Sequence, residues 1–250
     1  MLKKALKELL GLLWAFVIAI FIQTIFFQPF YVPSGSMYPT LEVGDFFVAS
    51  KFSYGYSPYS LPWYHPEIFS GRIFGQEPTR GQVLAFNGPA NDGKLDATDD
   101  YIKRCVGLPG DRIQVRQGVL HINDQPVILE RMGDYLMVDP RKPGEVRVVP
   151  QYRETLPNGV AYNILKDYPF GEGQLDNTQE FIVPSGHFFM MGDNRDHSSD
   201  SRAMNPVGFV PFEKLIGPAQ LLWFSTEAKW YEPQRWLSGL RFSRLFKWIR

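Results

Sequence analysis

The chain has 250 residues, and 26 basic side chains are matched by 26 acidic ones, so its formal charge is zero. That balance argues against a nucleic-acid binder, which carries a basic excess, and the length fits one large domain or two small ones with room for a core. The lone cysteine, Cys105, excludes an intrachain disulfide, while an aromatic share of 15% with 22 glycines and 20 prolines suits strands and turns better than a helical bundle.

The first element in chain order is apolar. Lys3, Lys4 and Lys7 precede a run from Leu9 to Phe30 that holds no charge. Some twenty apolar residues cross a bilayer core of about 30 Å. A cleavable secretory signal has a shorter apolar region, about 7–15 residues, with small residues at its end. This run ends instead in Phe26, Phe27, Gln28, Pro29 and Phe30. A buried soluble helix would present a polar face, and here Gln23 is the polar residue at mid-run. Residues 9–30 therefore read as an uncleaved anchor and residues 1–8 as its cytoplasmic basic flank, by the positive-inside rule. Residues 31–250 then lie outside the cytoplasm, and no second spanning run follows.

Beyond the anchor the pattern turns to β. DFFVASKF, GQVLAFN and DDYIKRCVG are strand candidates, and DRIQVRQGVLHINDQPVI alternates like a hairpin turning near Gly118. EVRVVPQYRETL and VAYNILKDY form a second pair across Pro157-Asn158-Gly159, followed by HFFMMGDN and AQLLWFS. The fold class is mostly β, a single transmembrane helix followed by a barrel or Greek-key ectodomain. Two stretches read as insertions: the aromatic, Pro- and Gly-rich residues 54–77, and residues 131–180, a smaller β lobe. The tail, residues 235–250, mixes arginine with Trp, Phe and Leu. It suits either a segment at a lipid interface or an ordinary docked end.

Candidate chemistry starts at YVPSGSMYPTLEVGD. Ser36 lies between Gly35 and Met37 with Pro33 and Pro39 on either side, a setting in which serine commonly just closes a turn. His197 sits among acids in GDNRDHSSDSR, but an isolated histidine there is more simply a solvated loop residue than part of a triad. The same stretch fails the EF-hand spacing, with Arg195 third and Ser198 sixth, and no paired His or Cys spacing suggests zinc, so neither metal nor cofactor is expected. Lysine is the other base available. In a strand, Tyr101, Lys103 and Cys105 share one face, and Ile102, Arg104 and Val106 the other. Of the two adjacent cations one is expected in solvent and Lys103 in the core. A lysine titrates near 10.4, and burial lowers that by up to about 3–5 units. The ordinary alternative is a snorkelling strand lysine.

PSGSMYPTL after an anchor, then YIKRCVGLPGD, then GDNRDHSSDSR, resemble in order and spacing the three signature boxes of bacterial type I signal peptidases. The GLRFSR tail and the strand content extend the likeness over most of the chain. The resemblance implies a membrane-bound endopeptidase that removes signal peptides from exported preproteins after an A-x-A site. It implies Ser36 as nucleophile, Lys103 as general base, and an oxyanion hole from the Ser36 N–H and the Ser34 hydroxyl. Ser198 then orients the lysine, and Asp193, Asp200, Arg202 and Arg104 support the site. Phe30, Val32, Pro33, Met37, Leu41, Tyr101 and Ile102 match the substrate-binding residues, beside which a peptide would add as a strand. The implied partners are preproteins and membrane lipid, with no nucleic acid and no metal. This chain has one predicted span where the best-known members have two, and lacks a cysteine pair that some carry. Its large middle insertion resembles Gram-negative members, which implies the inner membrane and periplasm. Other functions compatible with the residues are a Ser/Lys protease for a narrow substrate set, or a catalytically silent anchored scaffold.

Overall fold

A computed structural model describes residues 2–60, 69–89, 98–138, 146–228 and 232–250. Helix α1 covers Leu2–Ile25. Within its 3–25 stretch an 18-residue window reaches a mean hydropathy of 2.2 with no residue buried in the protein, so the helix is long and apolar enough to cross a bilayer. The helix ends before the uncharged run does. Phe26 makes the last helical bond, to the Ile22 carbonyl at 2.8 Å. Pro29 has no N–H to continue the helix and biases the residue before it toward extended backbone. The chain therefore turns at once into β1 (Phe27–Tyr31), which pairs antiparallel with β2 (Asp45–Ser50). As β1 ends the sheet, the N–H missing at Pro29 breaks no interior ladder.

The remaining strands are β3 (Val83–Pro89), β4 (Thr98–Gly107), β5 (Arg112–Arg116), β6 (Val119–Ile122), β7 (Gln125–Pro126), β8 (Ile128–Val138), β9 (Val146–Thr155), β10 (Ala161–Leu165), β11 (Phe181–Ile182), β12 (His187–Met191), β13 (Val210–Pro211), β14 (Leu215–Ser225) and β15 (Lys247–Trp248). The main sheet runs β1-β2-β14-β3-β4-β12-β13, with β15 on β14. Late strands thus interleave with early ones, a non-sequential order of Greek-key character. A four-stranded sheet runs β11-β5-β6-β7 and a three-stranded one β10-β9-β8. The β5–β6 turn sits at Gln117 and Gly118, both with positive φ, as a tight hairpin turn requires. Apolar side chains of β2, β3 and β14 pack with Val32, Met37 and Leu41 in one core cluster, and a second joins β5, β6, β10 and β12.

Three features add to the sequence reading. The inserted lobe starts with β8, whose residues are mostly exposed on both faces, so no alternation marked it. Part of the 54–77 stretch, residues 61–68, lies outside the described residues. Of the rest, Arg72 donates to the carbonyls of Tyr54, Gly55, Phe212, Glu213 and Leu215. These bonds pack the described part of the stretch against the segment leading into β14. The tail is docked on β14, yet it also turns Leu237, Phe242, Phe246 and Trp248 outward while Arg241 and Arg244 turn in.

Candidate active site

Ser36 lies on a loop closed at its base by two bonds, Val32 N–H to Asp45 O at 2.9 Å and Gly44 N–H to Val32 O at 3.1 Å. Met37 to Leu41 form a five-residue turn, closed by a 2.9 Å bond from the Leu41 N–H to the Met37 carbonyl. A side chain at Gly35 would run into the Tyr38 ring at 2.6 Å, so the turn before Ser36 needs glycine. Ser36 itself is 9% exposed.

β4 brings the base. Its pleat sends alternate side chains to opposite faces. Lys103, paired opposite Leu84, points to the Ser36 loop, and its Nζ lies 2.8 Å from Ser36 Oγ and 2.9 Å from the Ile102 carbonyl. Lys103 is 4% exposed, and burial lowers its pKa to about 8, against the nearby carboxylates of Asp200 and Asp193, which favour the charged form.

Arg104 corrects the expectation that one of the two cations is solvated, because it is wholly buried. Its Nε and Nη2 grip Asp193 at 2.9 and 2.7 Å, Nη1 reaches the Gly81 carbonyl at 2.6 Å, and its plane covers the Tyr162 ring at 3.9 Å. Burial opposes its charge, but the Asp193 pair outweighs that and holds its pKa above the ordinary value. A strand with both faces covered can bury two neighbouring cations when one is fully paired and the other can lose its proton.

The loop after β12 closes the site. Asp200 is gripped by Arg202 at 2.9 and 2.8 Å and receives the Gly192 N–H at 2.9 Å. Burial pushes its carboxyl up, yet Arg202 holds it below the ordinary range. Ser198 is buried close by, and the hydrogen bonds of Lys103 go to Ser36 and Ile102 rather than to it. His197 is a surface residue bonded to Asp167 at 2.8 Å, away from this cluster of contacts.

Two residues absent from the sequence reading hold the Ser36 turn. Asn194 donates through Nδ2 to the Gly35 carbonyl at 2.9 Å and through its N–H to the Ser36 carbonyl at 3.1 Å. Gly192 packs where a Cβ would stand 2.2 Å from Ser198 Oγ and 2.6 Å from Ser36 O. Both sit in GDN of the last box, but only the fold shows what they touch. Behind them Arg195 pairs with Glu154 at 2.5 Å, tying this loop to the inserted lobe.

The apolar candidates divide. Val32, Met37 and Leu41 are buried, and Phe30 and Ile102 are the partly exposed members of the same cluster. Tyr101 belongs to another cluster, stacked on Phe86. Pro33 and Ser34 are exposed at the rim of the loop. The Ser36 N–H has no acceptor among the described residues.

The sequence has close relatives. Residues 6–224 match the family described as "Signal peptidase, peptidase S26". Signal peptidase I of Rickettsia typhi is 39% identical over 261 residues, spanning 98% of this chain and 94% of that protein. Signal peptidase I of Rickettsia prowazekii is 40% identical over 262 residues with the same two shares, 98% and 94%. Among solved structures, a signal peptidase I from Enterococcus faecalis V583 matches 57% of this chain and 97% of its own length at 24% identity, with a TM-score of 0.31.

Proposed function

We propose, from the premise that this chain belongs to the peptidase S26 family of signal peptidases, that its reaction runs on Ser36 and Lys103. The protein is a membrane-anchored serine endopeptidase that cleaves signal peptides from preproteins. One observation carries the assignment of residues: a lysine buried and lowered to about 8 lies 2.8 Å from a serine in a rigid turn. At that value about one Lys103 in ten is neutral at pH 7, against about one in 2,500 for an ordinary lysine.

In the proposed cycle, Ser36 Oγ attacks the scissile carbonyl while neutral Lys103 accepts its proton. The oxyanion meets the unpartnered Ser36 N–H and the hydroxyl of Ser34 on the rim. The lysine ammonium then protonates the leaving amine, freeing the mature protein and leaving the signal peptide as an ester on Ser36. Lys103, neutral again, activates the water that hydrolyses the ester. Arg104–Asp193 and Arg202–Asp200 fix the strand and loop that bring the two side chains together. The signal peptide adds as an extended strand, with its small residues against Phe30 and Ile102 over the floor made by Val32, Met37 and Leu41.

The basic flank of α1 faces the cytoplasm and the β domain the periplasm, at the inner membrane. The outward Leu237, Phe242, Phe246 and Trp248 rest against lipid. The test is direct. The detergent-solubilised protein, Ser36→Ala and Lys103→Ala are each incubated with a preprotein bearing an A-x-A signal. The parent is expected to cut after the second alanine and both variants to be inactive. A folded Ser36→Ala protein that still cuts overturns the assignment.

A further inference from the structure

The base of the Ser36 loop carries two acids, Glu42 and Asp45, and Asp45 is wholly buried. Their charges are met from the far end of the chain. Arg241 reaches Glu42 Oε2 at 2.8 Å and Asp45 Oδ1 at 3.1 Å. Arg244 reaches Glu42 Oε1 at 2.8 Å and Asp45 Oδ2 at 2.5 Å. Both arginines also hold loop backbone, Arg241 the Val43 carbonyl at 2.8 Å and Arg244 the Thr40 carbonyl at 3.2 Å. We propose that Arg241 and Arg244 are positioning residues for Ser36, holding the loop base so that Oγ stays within reach of Lys103. This rests on the roles given above to Ser36 and Lys103.

An exposed ion pair contributes little, but these are not exposed pairs. The arginine side chains are 16% and 15% exposed and form one network with two carboxylates. The arginines are also delivered from an independent support. Arg241 N–H bonds the Ser225 carbonyl at 3.0 Å, and β15 pairs with β14 through Leu221↔Trp248 and Leu222↔Lys247. The tail is thus anchored on β14 and grips the loop from beneath. From the other side Thr40 Oγ1 donates to Asp193 at 2.5 Å, and Asn194 holds Gly35 and Ser36. Without the arginines the turn keeps its Asn194 bonds and the backbone bonds at its base, while Glu42 and Asp45 lose their counter-charges and the Thr40 and Val43 carbonyls their donors. A lysine could meet one acid at a time, but only a guanidinium fork bridges both acids and a carbonyl.

Misplacing a reacting group by about 1 Å costs on the order of 10²-fold in rate. The experiment measures steady-state cleavage of the A-x-A preprotein by the full chain in detergent, comparing the parent, Arg241→Ala, Arg244→Ala, Arg244→Lys and Ser36→Ala. For the folded alanine variants, kcat is expected to fall about 10- to 100-fold with KM within about 2-fold. The ascending limb of the pH–rate profile should keep its midpoint, since Lys103 stays buried. Arg244→Lys should fall between parent and Arg244→Ala, and added guanidinium ion should restore part of the Arg244→Ala rate. An unchanged kcat, a loss confined to KM, or a limb climbing toward the ordinary lysine range overturns the proposal, the last because it signals an opened site. Should the alanine variants not fold, the kcat and limb of Arg244→Lys decide alone. A Ser36→Ala protein that still cuts would instead overturn the reading of the nucleophile.

Discussion

Replacing Lys103 with methionine should remove activity and yet stabilise the protein at neutral pH. The side chain keeps the length of the apolar stem but loses the terminal group that burial penalises. In the fold Lys103 titrates near 8, down from an ordinary value of 10.5. At about 1.36 kcal/mol per unit, the shift corresponds to roughly 3 kcal/mol. The direction follows from proton counting. Between about pH 8 and pH 10.4 the unfolded chain holds a proton on this lysine that the folded one has released, so parent stability rises with pH in that window. Below it both states are protonated and the folded state bears the full cost. Above it both are neutral and the cost is gone. The variant should therefore be more stable than the parent by up to about 3 kcal/mol near pH 6–7, with the gain disappearing by about pH 10.4. Losing the bonds to Ser36 and Ile102 subtracts about 1 kcal/mol each, largely independent of pH, so the slope is the signature. The assay is equilibrium urea unfolding in detergent for both proteins across this range. A stability difference that stays flat with pH refutes the reasoning, and so does a parent whose ascending rate limb lies near 10.4.

Three further outcomes follow from the contacts around the dyad. Gly192→Ala puts a Cβ 2.2 Å from Ser198 Oγ and 2.6 Å from the Ser36 carbonyl, so kcat should drop on the order of 10²-fold in a protein that still folds. Cleavage rates beside thermal melts check it, and an unchanged rate counts against the close packing. Arg104→Met strands Asp193 in the core and should cost about 3–5 kcal/mol in urea unfolding, most of it recovered by adding Asp193→Leu. For the charges beside Lys103, Asp200→Asn removes an anion that favours the ammonium and should move the ascending limb of kcat to lower pH. Arg202→Met removes a cation and should move it higher, and shifts of the same sign for both would contradict the assigned electrostatics.

The three boxes were legible because each is a short stretch whose chemistry is local: a serine in a Gly/Pro turn, a lysine in a strand, acids and arginines in a polar loop. The alternation of β4 was legible as well, and it separates Lys103 from Arg104 as a pleat must. The error was to treat the interior as able to take only one cation. Arg104 is buried because Asp193 lies far away in sequence and close in space, and no local pattern announces such a partner. The same holds for Asn194 and Gly192, whose roles are contacts to Gly35, Ser36 and Ser198. Strand β8 escaped because a two-faced exposed ribbon has no hydrophobic period. β1 was hidden inside the anchor, since a hydropathy run cannot tell a spanning helix from the apolar strand that follows it.

A lysine beside two carboxylates would ordinarily be held charged and useless as a base. Asp193 and Asp200 both favour the ammonium form of Lys103, and still its pKa falls. The explanation is that neither carboxylate is free. Asp193 spends both oxygens on Arg104, and Thr40 donates to one of them as well. Asp200 is taken by Arg202 and by the Gly192 N–H. Each acid reaches Lys103 only as part of a nearly neutral ion pair, whose field falls off faster than that of a bare charge. Desolvation acts on the lysine undiluted and therefore prevails. The two arginine–aspartate pairs thus do two jobs. They hold β4 and the loop after β12, and they keep neighbouring negative charge away from the Lys103 amine, which the proposed cycle needs in its neutral form.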